Sequence, residues 1–158
     1  VISFIVSNFF IYYFIQDKIQ IFRVVFGVVT REEYLTYVLQ NSPYQVFKFI
    51  NTNLSSKDKI LFIGEQRGFY CEKNFISTNI FAPDMFVDLV NQSKNYMELT
   101  AKLKNIGITH ILYNKNEAER LRGYGILDFS IEGEKVWFEF LKNKILEYEF
   151  KEVYLYKI

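Results

Sequence analysis

The stretch KILFIGEQRGFY, residues 59–70, decides how the chain is read. Residues 60–63 are an apolar run too short for a helix and closed by Gly64, which predicts a strand buried on both faces. Beyond it, a loop over residues 64–74 carries Glu65, Gln66, Arg67 and Tyr70. Ligands of open α/β sheets gather at the carboxyl ends of the strands, so this loop stands where a site is expected.

Helical and strand patterns alternate on either side. TREEYLTYVLQN places Thr30 three residues ahead of Glu33, the spacing of a capping box, with Tyr34, Leu35, Val38 and Leu39 on one apolar face. Asn41, Ser42 and Pro43 interrupt it, and YQVFKFINTNL resumes a helix. FISTNIF predicts a second strand, and APDMFVDLVNQ a helix opened near Pro83 and Asp84. Asn95 with Glu98 caps YMELTAKLKN, where Met97, Leu99, Ala101 and Leu103 supply apolar positions before Gly107 ends the helix. THILYN is a third strand, and Asn116 with Glu119 caps a brief helix up to Gly123. EKVWFEFLKNKI is a longer helix offering Val136, Phe138, Phe140, Leu141 and Ile145 to a core. EYEFKEVYLYKI alternates as two edge strands turning near Lys151 and Glu152.

Strands separated by helices predict parallel, right-handed crossovers. The expected fold class is α/β, a Rossmann-like three-layer sandwich with a mostly parallel sheet of about four to five strands.

At 158 residues the chain suits one core plus a short appendage. A net charge of +1 with interspersed signs leaves no basic footprint, so no nucleic-acid partner is expected. Aromatic residues reach 19%, which is read as coding bias plus core packing, with a stacking surface for bases or sugars as the alternative. Cys71 and His110 are single residues of their kinds, which argues against a disulfide, the usual zinc ligand sets and a serine triad. Gly64 and Gly68 flank Glu65, Gln66 and Arg67 without the glycine spacing of a dinucleotide fingerprint or a P-loop, so no cofactor is expected.

The candidate substrate-binding residues are Glu65, Gln66, Arg67 and Tyr70, with no catalytic residue and no metal ligand among them. The plainer alternative is that Glu65 and Arg67 pair with each other or cap helices, an exposed contact contributing ~0–1 kcal/mol. His110, inside a strand pattern, is read as packed or hydrogen-bonded, and Cys71 as an inert thiol. Asp84 and Asp88 are read as a solvated acidic face. Asn53 and Asn91 match the glycosylation acceptor pattern, a frequent coincidence in an Asn-rich chain.

VISFIVSNFFIYYFIQ carries no charge before Asp17. A spanning helix needs about 20 mostly apolar residues, and this run is read as the end of one, with a buried core helix as the alternative. Residues 1–27 are then the end of a transmembrane helix with its connector, in contact with the lipid bilayer, and residues 28–158 a soluble α/β domain. Charges of both signs flank the run and set no orientation.

Taken in order, the apolar helix end, TREEYL, INTNLSSKDKILFIGEQRGFYCEKN, GITHILYN and the terminal VYLYKI resemble the C-terminal region of bacterial multispanning glycosyltransferases similar to aminoarabinose and dolichyl-phosphate-mannose transferases. The similarity spans about residues 28–158, and its most specific pieces are R-E-E-Y-L and G-E-x-R-G-x-Y. The resemblance implies the tail of a polytopic enzyme of the cell membrane that uses a polyprenyl-phosphate sugar donor, with the α/β domain on the extracytoplasmic side. It implies that the catalytic carboxylates lie in an upstream transmembrane part of the same protein, and that this region is silent by itself. The loop from Glu65 to Tyr70 would face the membrane-embedded site or help bind an acceptor glycan or lipid-linked sugar. Other classes remain open: a single-pass anchored module for a protein partner, or a nucleotide- or methyl-donor-binding enzyme.

Overall fold

The computed structural model describes residues 6–8, 10–13, 21–38, 41–77 and 85–158. The chain divides into two compact units, Val1–Ser42 and Pro43–Ile158.

In the first unit, residues 6–8 and 10–13 are helical, followed by α1 (Ile21–Val25), α2 (Arg31–Glu33) and a π-helical turn at Tyr34–Val38. The expected capping box forms: Thr30 Oγ1 accepts from the Glu33 amide at 3.1 Å, and Glu33 Oε2 accepts from the Thr30 amide at 2.9 Å. These bonds favour the ionised carboxylate and hold Glu33 below its ordinary pKa, the Thr30 backbone amide contributing most. The π-turn departs from the α spacing that an apolar face of Tyr34, Leu35, Val38 and Leu39 requires, and Leu39 lies outside the described residues. Among the described residues no helix is long and apolar enough to cross a membrane. Much of the expected spanning segment, residues 1–5, 9 and 14–20, lies outside them.

The second unit runs α3 (Tyr44–Asn53), β1 (Lys59–Ile63), β2 (Asn74–Ser77), α4 (Met85–Asn91), α5 (Tyr96–Asn105), β3 (His110–Asn114), α6 (Lys115–Arg122), α7 (Ile131–Lys142), β4 (Ile145–Phe150) and β5 (Val153–Lys157). Among the described residues the strands form one five-stranded sheet in the order β2-β1-β3-β5-β4. β1 pairs in parallel with β2 and β3, while β3/β5 and β5/β4 are antiparallel. The fold is thus mixed α/β, with its parallel pairs around β1.

β1 is buried throughout residues 60–63 because its two faces enter separate apolar clusters. Ile60 and Phe62 join Val46, Phe47 and Ile50 of α3 with Leu112, Val153 and Leu155. Leu61 and Ile63 join Ile111 and the apolar faces of α4, α5 and α7, including Phe86, Leu103 and Phe140. Much of the aromatic content is spent there: Trp137 packs edge-on against Phe86 and Tyr113 and stacks on Phe140.

Several local expectations are corrected. The terminal hairpin turns at Lys151 and Glu152, as expected, but β5 is not an edge strand: it sits between β3 and β4. Val153 and Leu155 are buried there, whereas Ile145 and Leu146 of edge strand β4 are exposed and a bulge interrupts pairing between Leu146 and Tyr148. Ile145 opens that strand rather than closing a helix, since α7 is capped by Ser130 and ends at Lys142. Phe138, Met97 and Ala101 face solvent rather than a core. The brief helix is capped by Asn114 in place of Asn116 because β3 runs straight into α6. Residues 78–81 of the second strand pattern, and Pro83 and Asp84 of the helix start, lie outside the described residues.

Candidate functional site

β1 and β3 are parallel neighbours and end side by side, with Ile63 opposite Tyr113. Their carboxyl ends are locked by a close approach at Gly64, whose φ is +71°. A Cβ there would stand 2.5 Å from the Asn114 carbonyl oxygen and 2.7 Å from the Ala118 nitrogen. Only glycine combines that backbone conformation with that contact. The next residue, Glu65, is thereby carried against the start of α6.

Glu65 is 2% exposed. Its Oε1 accepts from the backbone amides of Gln66 (2.9 Å) and Arg67 (2.8 Å) and from Arg67 Nε (2.8 Å). Its Oε2 accepts from Arg67 Nη2 (2.8 Å) and from Nδ2 of the fully buried Asn114 (2.9 Å). A buried carboxylate costs several kcal/mol unless so satisfied. Glu65 is therefore a fixed anchor that grips Arg67 bidentately, and the hydrogen bond to it raises the Arg67 pKa further above the physiological range.

Beside this anchor lies a cleft of about 320 Å³, lined by residues 64–67 of the loop and by Glu117, Arg120 and Leu121 of α6. Arg120 Nε donates to Glu117 Oε2 at 2.8 Å, which raises the Arg120 pKa in the same manner. The guanidinium side chains are about half exposed, at 47% for Arg67 and 55% for Arg120, whereas the Glu117 side chain is 19% exposed.

The structure brings Glu65, Gln66 and Arg67 to the cleft but leaves Tyr70 off its lining. The Tyr70 ring meets Tyr44 and Phe69 edge-on at 5.3 and 5.1 Å. Its carbonyl accepts from Asn51 Nδ2 at 2.8 Å, and Asn51 Oδ1 accepts from the Glu72 amide at 2.9 Å, so α3 pins the far half of the loop. Asn114, Glu117 and Arg120 were not anticipated as site residues. The available signal was N-x-x-E at the end of a predicted strand, a spacing equally present at residues 116–119.

His110, at the opposite end of β3, is buried and shares a 2.8 Å hydrogen bond between Nδ1 and Thr109 Oγ1. Its Nε2 lies 3.1 Å from Glu147 Oε2 without hydrogen-bond geometry. Asp88 is exposed, and Asp84 lies outside the described residues. Among the described residues, no group of three His, Cys, Asp or Glu side chains is placed to hold a metal ion.

Burial pushes the Cys71 thiol above its ordinary pKa, against a weaker opposing contribution from the Lys73 backbone, and Sγ donates to the Lys73 carbonyl at 3.8 Å. At neutral pH its thiolate fraction falls below that of a free cysteine. Iodoacetamide at pH 7.5 is expected to label native Cys71 at least about threefold more slowly than the urea-unfolded chain. Equal rates would show an accessible, unperturbed thiol.

No family model matches the sequence, and neither a curated protein nor a solved structure does.

Proposed function

We propose that the chain is the accessory C-terminal extracytoplasmic domain of an integral-membrane glycosyltransferase that uses a polyprenyl-phosphate sugar donor. Its α/β unit is a Rossmann-like three-layer sandwich, non-catalytic by itself, whose cleft contributes to acceptor binding. The observation that carries this reading is the cleft itself: it stands beside the carboxyl ends of parallel strands and includes Glu65 and Arg67 of the G-E-x-R-G-x-Y piece. Helices packed in two clusters around β1 support the sandwich. Exposed Phe10, Ile11, Tyr13, Val25 and Phe26 in the first unit suit a segment that meets the bilayer. The upstream transmembrane part of the same protein supplies the catalytic carboxylates.

The gene upstream of the Val1 codon tests the proposal. Several further hydrophobic spans, with an acidic loop near the first of them, are expected. A product with a single span overturns it and favours an anchored module that docks a protein partner.

A further inference from the structure

We propose that the cleft beside α6 takes a compact ligand bearing a phosphate group, held by Arg67 and Arg120; this rests on reading the cleft as a ligand site and goes on to name the ligand's chemistry.

The accessible polar chemistry of the cleft is dominated by donors. Its carboxylates are withdrawn, Glu65 at 2% and Glu117 at 19% exposure, and both are occupied by arginine hydrogen bonds. The two guanidinium side chains, at 47% and 55%, are what a ligand meets. A neutral sugar needs acceptors as well as donors, and among the side chains of residues 64–67 the exposed amide of Gln66 offers one. A phosphate offers acceptor oxygens only, which suits a lining whose exposed charged groups are guanidinium donors.

The arrangement is also preorganised. Glu65 grips Arg67 through Nε and Nη2, and Asn114 and two backbone amides hold Glu65 in turn. Glu117 fixes Arg120 through Nε. Less side-chain freedom then remains to be lost when a ligand arrives. The volume of about 320 Å³ lies at the small end of ligand pockets, which suits a phosphate or a sugar phosphate rather than a dinucleotide.

The test is isothermal titration of the 158-residue chain in detergent micelles with inorganic phosphate, glucose 6-phosphate, dihexanoyl phosphatidic acid, glucose and glucuronate. Saturable binding of the phosphate probes is expected, with no saturation by glucose or glucuronate. Tighter binding of glucose 6-phosphate assigns a soluble source, and tighter binding of phosphatidic acid a lipid headgroup; both support the proposal. Arg120→Gln should weaken the phosphate probes at least tenfold, and Arg120→Lys should recover part of the loss, each with an unchanged far-UV spectrum. Arg67→Gln is a second variant with the same expected loss. If no phosphate probe saturates, if glucose or glucuronate binds as well, or if Arg120→Gln binds like the parent, the proposal is overturned. Binding is read without sugar transfer, so upstream spans can be absent while phosphate binds, or transfer can persist while phosphate does not; the two proposals fail separately.

Discussion

Replacing Glu65 by alanine is expected to destabilise the Pro43–Ile158 unit by about 2–4 kcal/mol, a large share of a domain's total stability. The carboxylate is 2% exposed and is the common acceptor for Arg67, for Asn114 and for the amides of Gln66 and Arg67. Its removal takes an acceptor from the fully buried Asn114 amide and both side-chain acceptor contacts from Arg67 Nε and Nη2. A surface ion pair would lose about 1 kcal/mol at most, so the measurement separates an anchor from a decoration. Glu65→Gln should fall between parent and alanine, because the amide keeps one acceptor but turns a second donor toward Arg67 or Asn114. Urea denaturation of the three chains reads the differences. A Glu65→Ala loss below about 0.5 kcal/mol would refute the anchoring role.

Gly64→Ala should cost more, about 3–5 kcal/mol, because two penalties add. Its φ of +71° is a left-handed conformation, and the added methyl would lie 2.5 Å from the Asn114 carbonyl and 2.7 Å from the Ala118 nitrogen. Both are backbone atoms at the start of α6 and cannot rotate away. Gly125, with φ +73° and open space around it, isolates the first penalty: Gly125→Ala should cost only about 1–2 kcal/mol. Comparing the two thermal midpoints tests the packing term alone, and equal shifts would show that β1 and α6 can separate without penalty. Because this contact carries Glu65 to Asn114, a folded Gly64→Ala protein should also lose affinity for phosphate probes.

Strand β1 was legible because burial on both faces leaves a continuous apolar run, and residues 60–63 are that run. Thr30 with Glu33 and Asn95 with Glu98 were legible as helix starts, since a cap is satisfied within a few residues of itself. Gly107, at φ +81°, was legible as a helix stop for the same local reason. The capping pattern at Asn116 misled because Asn114 offers an identical spacing, and only the end of β3 chooses between them.

What the sequence determined by itself was the alternation of helices and strands and the location of a polar loop after β1, because apolar period, caps and glycine stops act over a single turn or a few residues. Tertiary structure alone decided that β5 lies inside the sheet, that Glu65 is sealed while Arg67 stays half exposed, and that Arg120 lines the same cleft as Arg67. Strand order and burial depend on which distant segments meet, and no local spacing encodes that meeting.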